Sequence, residues 1–346
     1  MLAARYVSAR TVEVGPADTA PPAAGQVQVA PAFTGVCGTD LHIFHGDMDQ
    51  RVSRPAVIGH EVSAVVAAVG EGVDGWAVGD RVTVMPLAWD GTCPACLAGT
   101  QHVCQHLDFI GIDSPGGLQQ RWNVPASTLV RLPDGLSLRD AALVEPTAVA
   151  VHDVGRAGVQ AGETVVVVGA GPVGLLIALV ATSTGADVRV VELDAHRRSV
   201  AAGLGLQTLD PREQDVVAAV EEWTGGAGAA VAFEVSGAAG GVTTAVDVLG
   251  VRGRLCLVAI HPTPREVNLH RFFWRELTLI GARLYERSDF ERAVELVASG
   301  AVPADTVISR VVPLAQAADA FAALEGGAGV VKVLVDCRED AGAPRG

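Results

Sequence analysis

The chain has 346 residues, 49% hydrophobic and 18% charged, which is ample material for more than one globular core and unlike the composition of a disordered chain. Its formal charge of −14 speaks against nucleic acid or an anionic membrane surface as a partner, since both would repel it. Residues 1–10 carry charges within their apolar run and have no signal-peptide core. Three of the six cysteines (Cys93, Cys96 and Cys104) are clustered, which points to metal rather than disulfides and to a cytoplasmic location.

In chain order, residues up to about 151 show short β-rich runs broken by Gly and Pro, such as 27–29, 61–69 and 80–84, the pattern of a small irregular β-barrel. This half contains Cys37-Gly38-Thr39-Asp40-Leu41-His42 and then Gly59-His60-Glu61, with Glu145-Pro146 at its end. One thiolate, one imidazole and one carboxylate are what a catalytic zinc takes from protein, leaving a position open for substrate or water. Taken singly, Cys37 also reads as a small buried hydrophobe and His60 as a satisfied core histidine. His45 reads as a loop residue.

From residue 161 the rhythm becomes strand, helix, strand. Strands are expected at 164–168, 187–191, 229–235, 254–260 and 277–281, and helices at 173–183, 195–203 and 290–300. This alternation implies an α/β fold with a doubly wound, Rossmann-type parallel sheet. A short helix at 315–324 and a strand at 330–335 follow, and this tail is expected to pack back on the first domain. The assigned domains are 1–152 with 288–346, and 153–287.

Gly169, Gly171 and Gly174 follow a strand and open a helix, the context that a dinucleotide-binding turn requires. The first glycine permits the turn, the second lets the backbone approach a pyrophosphate, and the third lets helix and strand pack closely. Pro172 and Val173 start the helix, whose free amides and partial positive charge suit phosphates. The stretch 164–186 is long and apolar enough to suggest a membrane span, but this turn breaks it, so none is expected. Glu192 ends the next strand, where a carboxylate bonds ribose hydroxyls and repels a 2′-phosphate; this favours NAD over NADP. Arg197 and Arg198 lie just beyond and would soften that preference unless they are plain surface arginines.

Together these motifs, with Gly79-Asp80-Arg81-Val82, occur in an order and spacing that resembles the zinc-dependent medium-chain alcohol dehydrogenases over nearly the whole chain. Glu145, where classical members have a cysteine, is similar to the sorbitol, butanediol and threonine dehydrogenase branch. The resemblance implies a GroES-like catalytic domain beside the Rossmann domain, and an NAD-dependent zinc oxidoreductase acting on a secondary alcohol or ketone. It implies Cys37 and His60 as catalytic zinc ligands, with Glu61 and Glu145 competing for the remaining protein position. Thr39 would take the substrate hydroxyl proton, and His42 would pass it to solvent unless it is only a surface histidine. Zinc as a Lewis acid would lower the pKa of the alcohol, and hydride would go to nicotinamide C4.

Cys93, Cys96 and Cys104 resemble the structural zinc lobe of the same family, normally built from four cysteines. The first ligand would fall at Asp90, giving an Asp-Cys₃ site. His102 and His106 remain rivals for that position, and a metal-free lobe remains open. Cys256 and Cys337 read as packing cysteines.

The substrate is less legible. Phe44, Leu87, Trp89, Leu118, Trp122, Trp274 and Arg283 are candidate walls, and any of them also fits a core or surface role. A polyol, vicinal diol or cyclitol is expected, with an amino alcohol close behind and Arg283 available for a substrate carboxylate. Rival classes are a metal-free enone or quinone reductase of the same fold, a nucleotide-binding protein without turnover, and a protein-interaction zinc module in the cysteine lobe. From the resemblance, a homo-oligomer (dimer or tetramer) is expected, paired through the edge strand at 277–281.

Overall fold

The computed structural model describes residues 1–327 and 329–339. The chain divides into two compact units, one of residues 1–145, 286–299 and 307–346, the other of residues 146–285 and 300–306.

The first unit is built on a mixed sheet. Among the described residues its strands run, edge to edge, Ile308–Pro313, Lys332–Asp336, Gln26–Val36, Glu61–Val69, Arg81–Val84 and Leu129–Arg131, and Trp122–Pro125 also pairs with Gln26–Val36. All neighbours are antiparallel except the first two strands, which are parallel. Alternating valines and alanines of these strands, with Ile110, Trp122 and Leu129, form its core. Strand Gln26–Val36 is longer than the three residues expected, and its last six residues are all buried. In that stretch Gly35 pairs with Glu61 on one side and with Leu334 on the other, so residues far apart in sequence meet across it.

The helix Gly38–His45 follows at once. Cys37 is its N-cap: the sulfur accepts from Thr39 N at 3.2 Å, and Asp40 accepts from Cys37 N at 2.9 Å, a capping box built from a thiol and a carboxylate. The helix stops at Gly46, whose φ of +88° is easy only for glycine. His45 belongs to this helix rather than to a loop, and its Nε2 lies 2.8 Å from Glu325.

The second unit has a parallel sheet in the order Gln207–Leu209, Asp187–Val191, Thr164–Val168, Ala229–Glu234, Leu249–Leu257, Thr278–Gly281. Numbered along the sequence this is 3-2-1-4-5-6, the doubly wound order with its switch point between the first and fourth strands. The strand expected at 254–260 starts earlier and ends at Leu257, and Gln207–Leu209 was not anticipated from the sequence. The short strand Gln207–Leu209 is too brief to show a periodicity of its own. Among the described residues, no helix is long and apolar enough to cross a membrane.

Candidate active site

In the first unit, Cys37 sits at the end of one central strand and His60-Glu61 at the start of its neighbour, so antiparallel pairing brings them together. Cys37 Sγ is 3.1 Å from His60 Nε2, and these two atoms and a Glu61 oxygen lie within 4.8 Å of one another. Two ligands on one tetrahedral zinc stand roughly 3.5 Å apart, so the sulfur–imidazole pair fits a metal.

His60 is buried, and Asp40 is buried behind it, with Nδ1 3.6 Å from Asp40 Oδ1. Neither of those two atoms has a hydrogen-bond partner. Burial opposes a charge on His60, but the Cys37 sulfur and the Asp40 carboxylate outweigh it and hold its pKa well above the usual histidine value. Burial likewise raises the Asp40 pKa, with His60 opposing. A field that favours a proton on His60 also favours a bound cation, and a metal binds there by displacing that proton. A carboxylate behind a metal-ligating histidine fixes its tautomer and orientation. Phe109 closes the other side, its ring 5.0 Å from that of His60 and nearly edge-on.

Glu61 has a partner that the sequence did not announce. Lys332 Nζ lies 2.6 and 2.8 Å from its two oxygens and 3.4 Å from Val36 O. Both side chains are almost fully buried, at 1% and 2% exposure. Burial pulls the Lys332 pKa down, yet Glu61 outweighs it and the ammonium is held above its ordinary value. Gly35 makes the room, since a Cβ there would stand 2.0 Å from Glu61 Oε2. Glu145, buried in the first turn of the helix Val144–Ala157, falls outside the close set of Cys37, His60 and Glu61, though its charge acts on both His60 and Lys332.

Thr39 is half-buried next to Cys37, and His42 is exposed, its Nδ1 3.1 Å from Asp47. His42 therefore pairs with Asp47, not with Asp40, which faces inward.

The second cluster lies on the loop around the short helix Pro94–Leu97. Ligand atoms of Asp90, Cys93, Cys96 and Cys104 lie within 4.8 Å of one another. Backbone amides of Gln105 and His106 donate to the Cys93 and Cys104 sulfurs. Asp90 Oδ1 accepts from the amides of Thr92 and Cys93, and Oδ2 is 2.5 Å from His106 Nδ1. The Cys93 amide, then His106, holds the Asp90 carboxyl well below the usual range. His102 is buried with its Nδ1 3.8 Å from Glu286, and His106 reaches Asp90 instead of the sulfurs, so Asp90 fits the fourth position better than either histidine.

In the second unit, Gly169 turns at φ +107°, and a Cβ there would stand 3.1 Å from Ser236. A Cβ on Gly174 would stand 1.9 Å from Gly169 O, so only glycine lets helix and turn approach, while that of Gly171 would meet open space. Pro172 is at the first turn of the helix Pro172–Ser183, followed by Val173, with Gly171 as the cap. Glu192 accepts from Ala170 N at 2.7 Å and from Asp194 N at 2.8 Å, which brings its carboxylate to the glycine turn. Arg198 bonds the carbonyls of Glu192 and Leu193 and pairs with Asp210 at 2.8 Å, and both Arg197 and Arg198 are half-buried. The donors and the space at this turn fit a dinucleotide diphosphate.

Several expected wall residues prove to be core: Leu87, Leu118 and Trp122 are buried, and Phe44 packs on Phe321 at 5.2 Å. Trp89 is partly exposed, Arg283 is exposed, and Trp274 stands exposed on the helix Leu269–Arg275, where it stacks on His270. Cys256 and Cys337 are buried, and burial pushes each thiol up to about 12.

Residues 23–134 match the alcohol dehydrogenase GroES-like domain family, and residues 172–299 the zinc-binding dehydrogenase family. The chain is 48% identical to a 2-dehydro-3-deoxy-L-galactonate 5-dehydrogenase of Pseudoalteromonas atlantica, covering 98% of this chain and 100% of the relative. It is 32% identical to an L-galactonate-5-dehydrogenase of Escherichia coli over 83% of this chain and 84% of that one. Among solved structures it is similar to 2R,3R-butanediol dehydrogenase from Bacillus subtilis, with a TM-score of 0.90, 31% identity, and 97% and 99% of the two chains covered.

Proposed function

The chain belongs to the zinc-dependent medium-chain alcohol dehydrogenase family, and from that premise we propose that it oxidises a secondary hydroxyl of a sugar acid and passes the hydride to NAD. The observation that carries this reading is the 48% identity, over 98% of the chain, to an enzyme named for the 5-position of a 2-dehydro-3-deoxy sugar acid. The Escherichia coli relative is named for the same position of another sugar acid. A sugar acid is a polyol ending in a carboxylate, so the proposal narrows the expected polyol class.

Bound zinc supplies a Lewis acid that lowers the pKa of the substrate hydroxyl. Cys37 and His60 would hold the metal, and Asp40, buried behind His60, would keep the imidazole turned toward it. Glu145 is assigned the third protein position, because a Glu61 that left Lys332 would strand a buried ammonium. Thr39 takes the hydroxyl proton and His42, three residues on along the same helix face, hands it to Asp47 and solvent. Bound NAD would supply the acceptor for the hydride of the substrate carbon, so that proton and hydride would both leave the alcohol.

Glu192 favours NAD by meeting the adenosine ribose, and Arg198, tied to Asp210, is not at hand for a 2′-phosphate. Asp90, Cys93, Cys96 and Cys104 are assigned a second, structural zinc. Reduced thiols packed this closely suit the cytoplasm. The edge strand Thr278–Gly281 and the exposed Phe273, Trp274 and Leu279 support pairing with a second copy of the chain.

The test is the initial rate of NAD and NADP reduction at mildly alkaline pH on L-galactonate, a 2-dehydro-3-deoxy-aldonate, sorbitol, 2,3-butanediol, a cyclitol and threonine. The fastest rate is expected on a sugar acid with NAD, and chelation should abolish it. A faster neutral polyol would return the substrate to that class, and silence with zinc bound would leave a nucleotide-binding protein without turnover.

A further inference from the structure

The carboxyl edge of the parallel sheet carries a buried polar chain that the glycine turn and Glu192 do not account for. Glu234 ends the fourth strand of that sheet and is fully buried. Its Oε1 accepts from Ser236 N at 3.0 Å, Ser236 Oγ at 2.5 Å and Gly237 N at 3.0 Å, and its Oε2 is 2.9 Å from His261 Nε2. Arg265 Nε donates to His261 Nδ1 at 3.3 Å, so Nε2 carries the imidazole proton and donates it to Glu234. Two loops, one after the fourth strand and one after the fifth, are thereby pinned to a single carboxylate. The first of them abuts the dinucleotide turn, since a Cβ on Gly169 would stand 3.1 Å from Ser236.

A dinucleotide lies across the switch point of such a sheet, its two halves on opposite sides. Glu192, just past the end of the second strand, marks the adenosine side, so Glu234, His261 and Arg265 stand on the nicotinamide side. Arg265 is half-buried and makes three bonds, to His261, to Thr263 Oγ1 at 3.0 Å and to Gly237 O at a long 3.5 Å. A guanidinium has five N–H donors, so it keeps some in hand for oxygen acceptors.

We infer that Arg265 binds the phosphate and ribose oxygens of the nicotinamide half of the dinucleotide, with His261 and Glu234 as positioning residues that aim it. This rests on the dinucleotide reading of the glycine turn and adds the residues that hold its far half. A plain structural tie between two loops would not distinguish one half of the ligand from the other.

The experiment is calorimetric titration of the zinc-loaded protein with AMP, ADP-ribose and NAD. Arg265→Gln should weaken ADP-ribose and NAD about tenfold and leave AMP unchanged. His261→Asn should act in the same direction by about threefold, and Arg265→Lys, which keeps the charge but loses the Nε bond, should fall between them. Unchanged ADP-ribose affinity in Arg265→Gln, or an equal loss for AMP, would overturn the inference. If Arg265→Gln does not fold, the same split in His261→Asn and Arg265→Lys decides. Wild-type protein that binds none of the three would overturn the dinucleotide reading itself, and the inference with it.

Discussion

The two donor clusters of the first unit are built in opposite ways. Cys37, His60 and Glu61 stand at the adjoining ends of neighbouring strands of a packed sheet, and Asp40, Lys332 and Phe109 surround them with buried contacts. Cys93, Cys96 and Cys104 stand on a loop with a four-residue helix, and the hydrophobic cluster there is the three cysteines themselves, with Ala95 and Leu107 against them. In the first cluster the fold sets the ligand geometry before any metal arrives. In the second, little apolar surface is available, so a bound metal would have to supply the folding energy of the segment. Catalysis needs the first design, because an open coordination position demands ligands fixed by something other than the ion.

Removing one catalytic ligand tests that contrast most severely. Cys37→Ala or His60→Ala should lower turnover by about 10³-fold or more and remove one zinc, while the melting temperature barely moves. Turnover retained in metal-free protein would end the zinc mechanism, and a collapse in stability would mean that the ion builds this site too. Next in size is Lys332→Met, which leaves Glu61 buried without its cation and should cost about 3–5 kcal/mol in denaturant unfolding. Glu61→Gln in the same chain should recover much of that loss, and an unaltered midpoint for the single variant would show that the pair is solvated. Smallest is the change at the lobe. Asp90→Ala should weaken zinc retention there about tenfold and lower thermal stability more than turnover, whereas Asp90→Cys should tighten it. Equal zinc content in Asp90→Ala and wild type would move the fourth ligand to His102 or His106.

The two donor clusters were legible because each is compact in sequence: a short Cys-to-His interval with glycines beside both, and three cysteines within a dozen residues. The doubly wound sheet was legible for a similar reason, as its β-branched strands alternate with helix-forming segments. What surrounds the ligands was not. Asp40 lies inside the quoted motif, but only the turn of the helix it caps decides that it faces His60 rather than His42 or solvent. Lys332 opens the strand Lys332–Asp336 ahead of three apolar residues, and its partner follows from strand register: Val333 opposite Val36 and Gly35 opposite Glu61. Register between segments some 300 residues apart has no local signature. Phe109 lies in the two-residue strand Asp108–Phe109, too short to show a periodicity, while Leu87 and Trp122, expected as walls, belong to the core.

The distance between Glu61 and Lys332 along the chain has a consequence for how the protein is made. They are 271 residues apart, and the ribosome delivers Glu61 long before its cation. At about 5–20 residues per second that interval is roughly 15–55 s. Throughout it the Phe33–Val36 stretch of the strand Gln26–Val36 has one edge open and the carboxylate beside Gly35 must stay hydrated, so the catalytic pocket cannot close around Glu61 until the strand Lys332–Asp336 is synthesised. Completion of the site thus doubles as a check that the chain has been translated past Lys332.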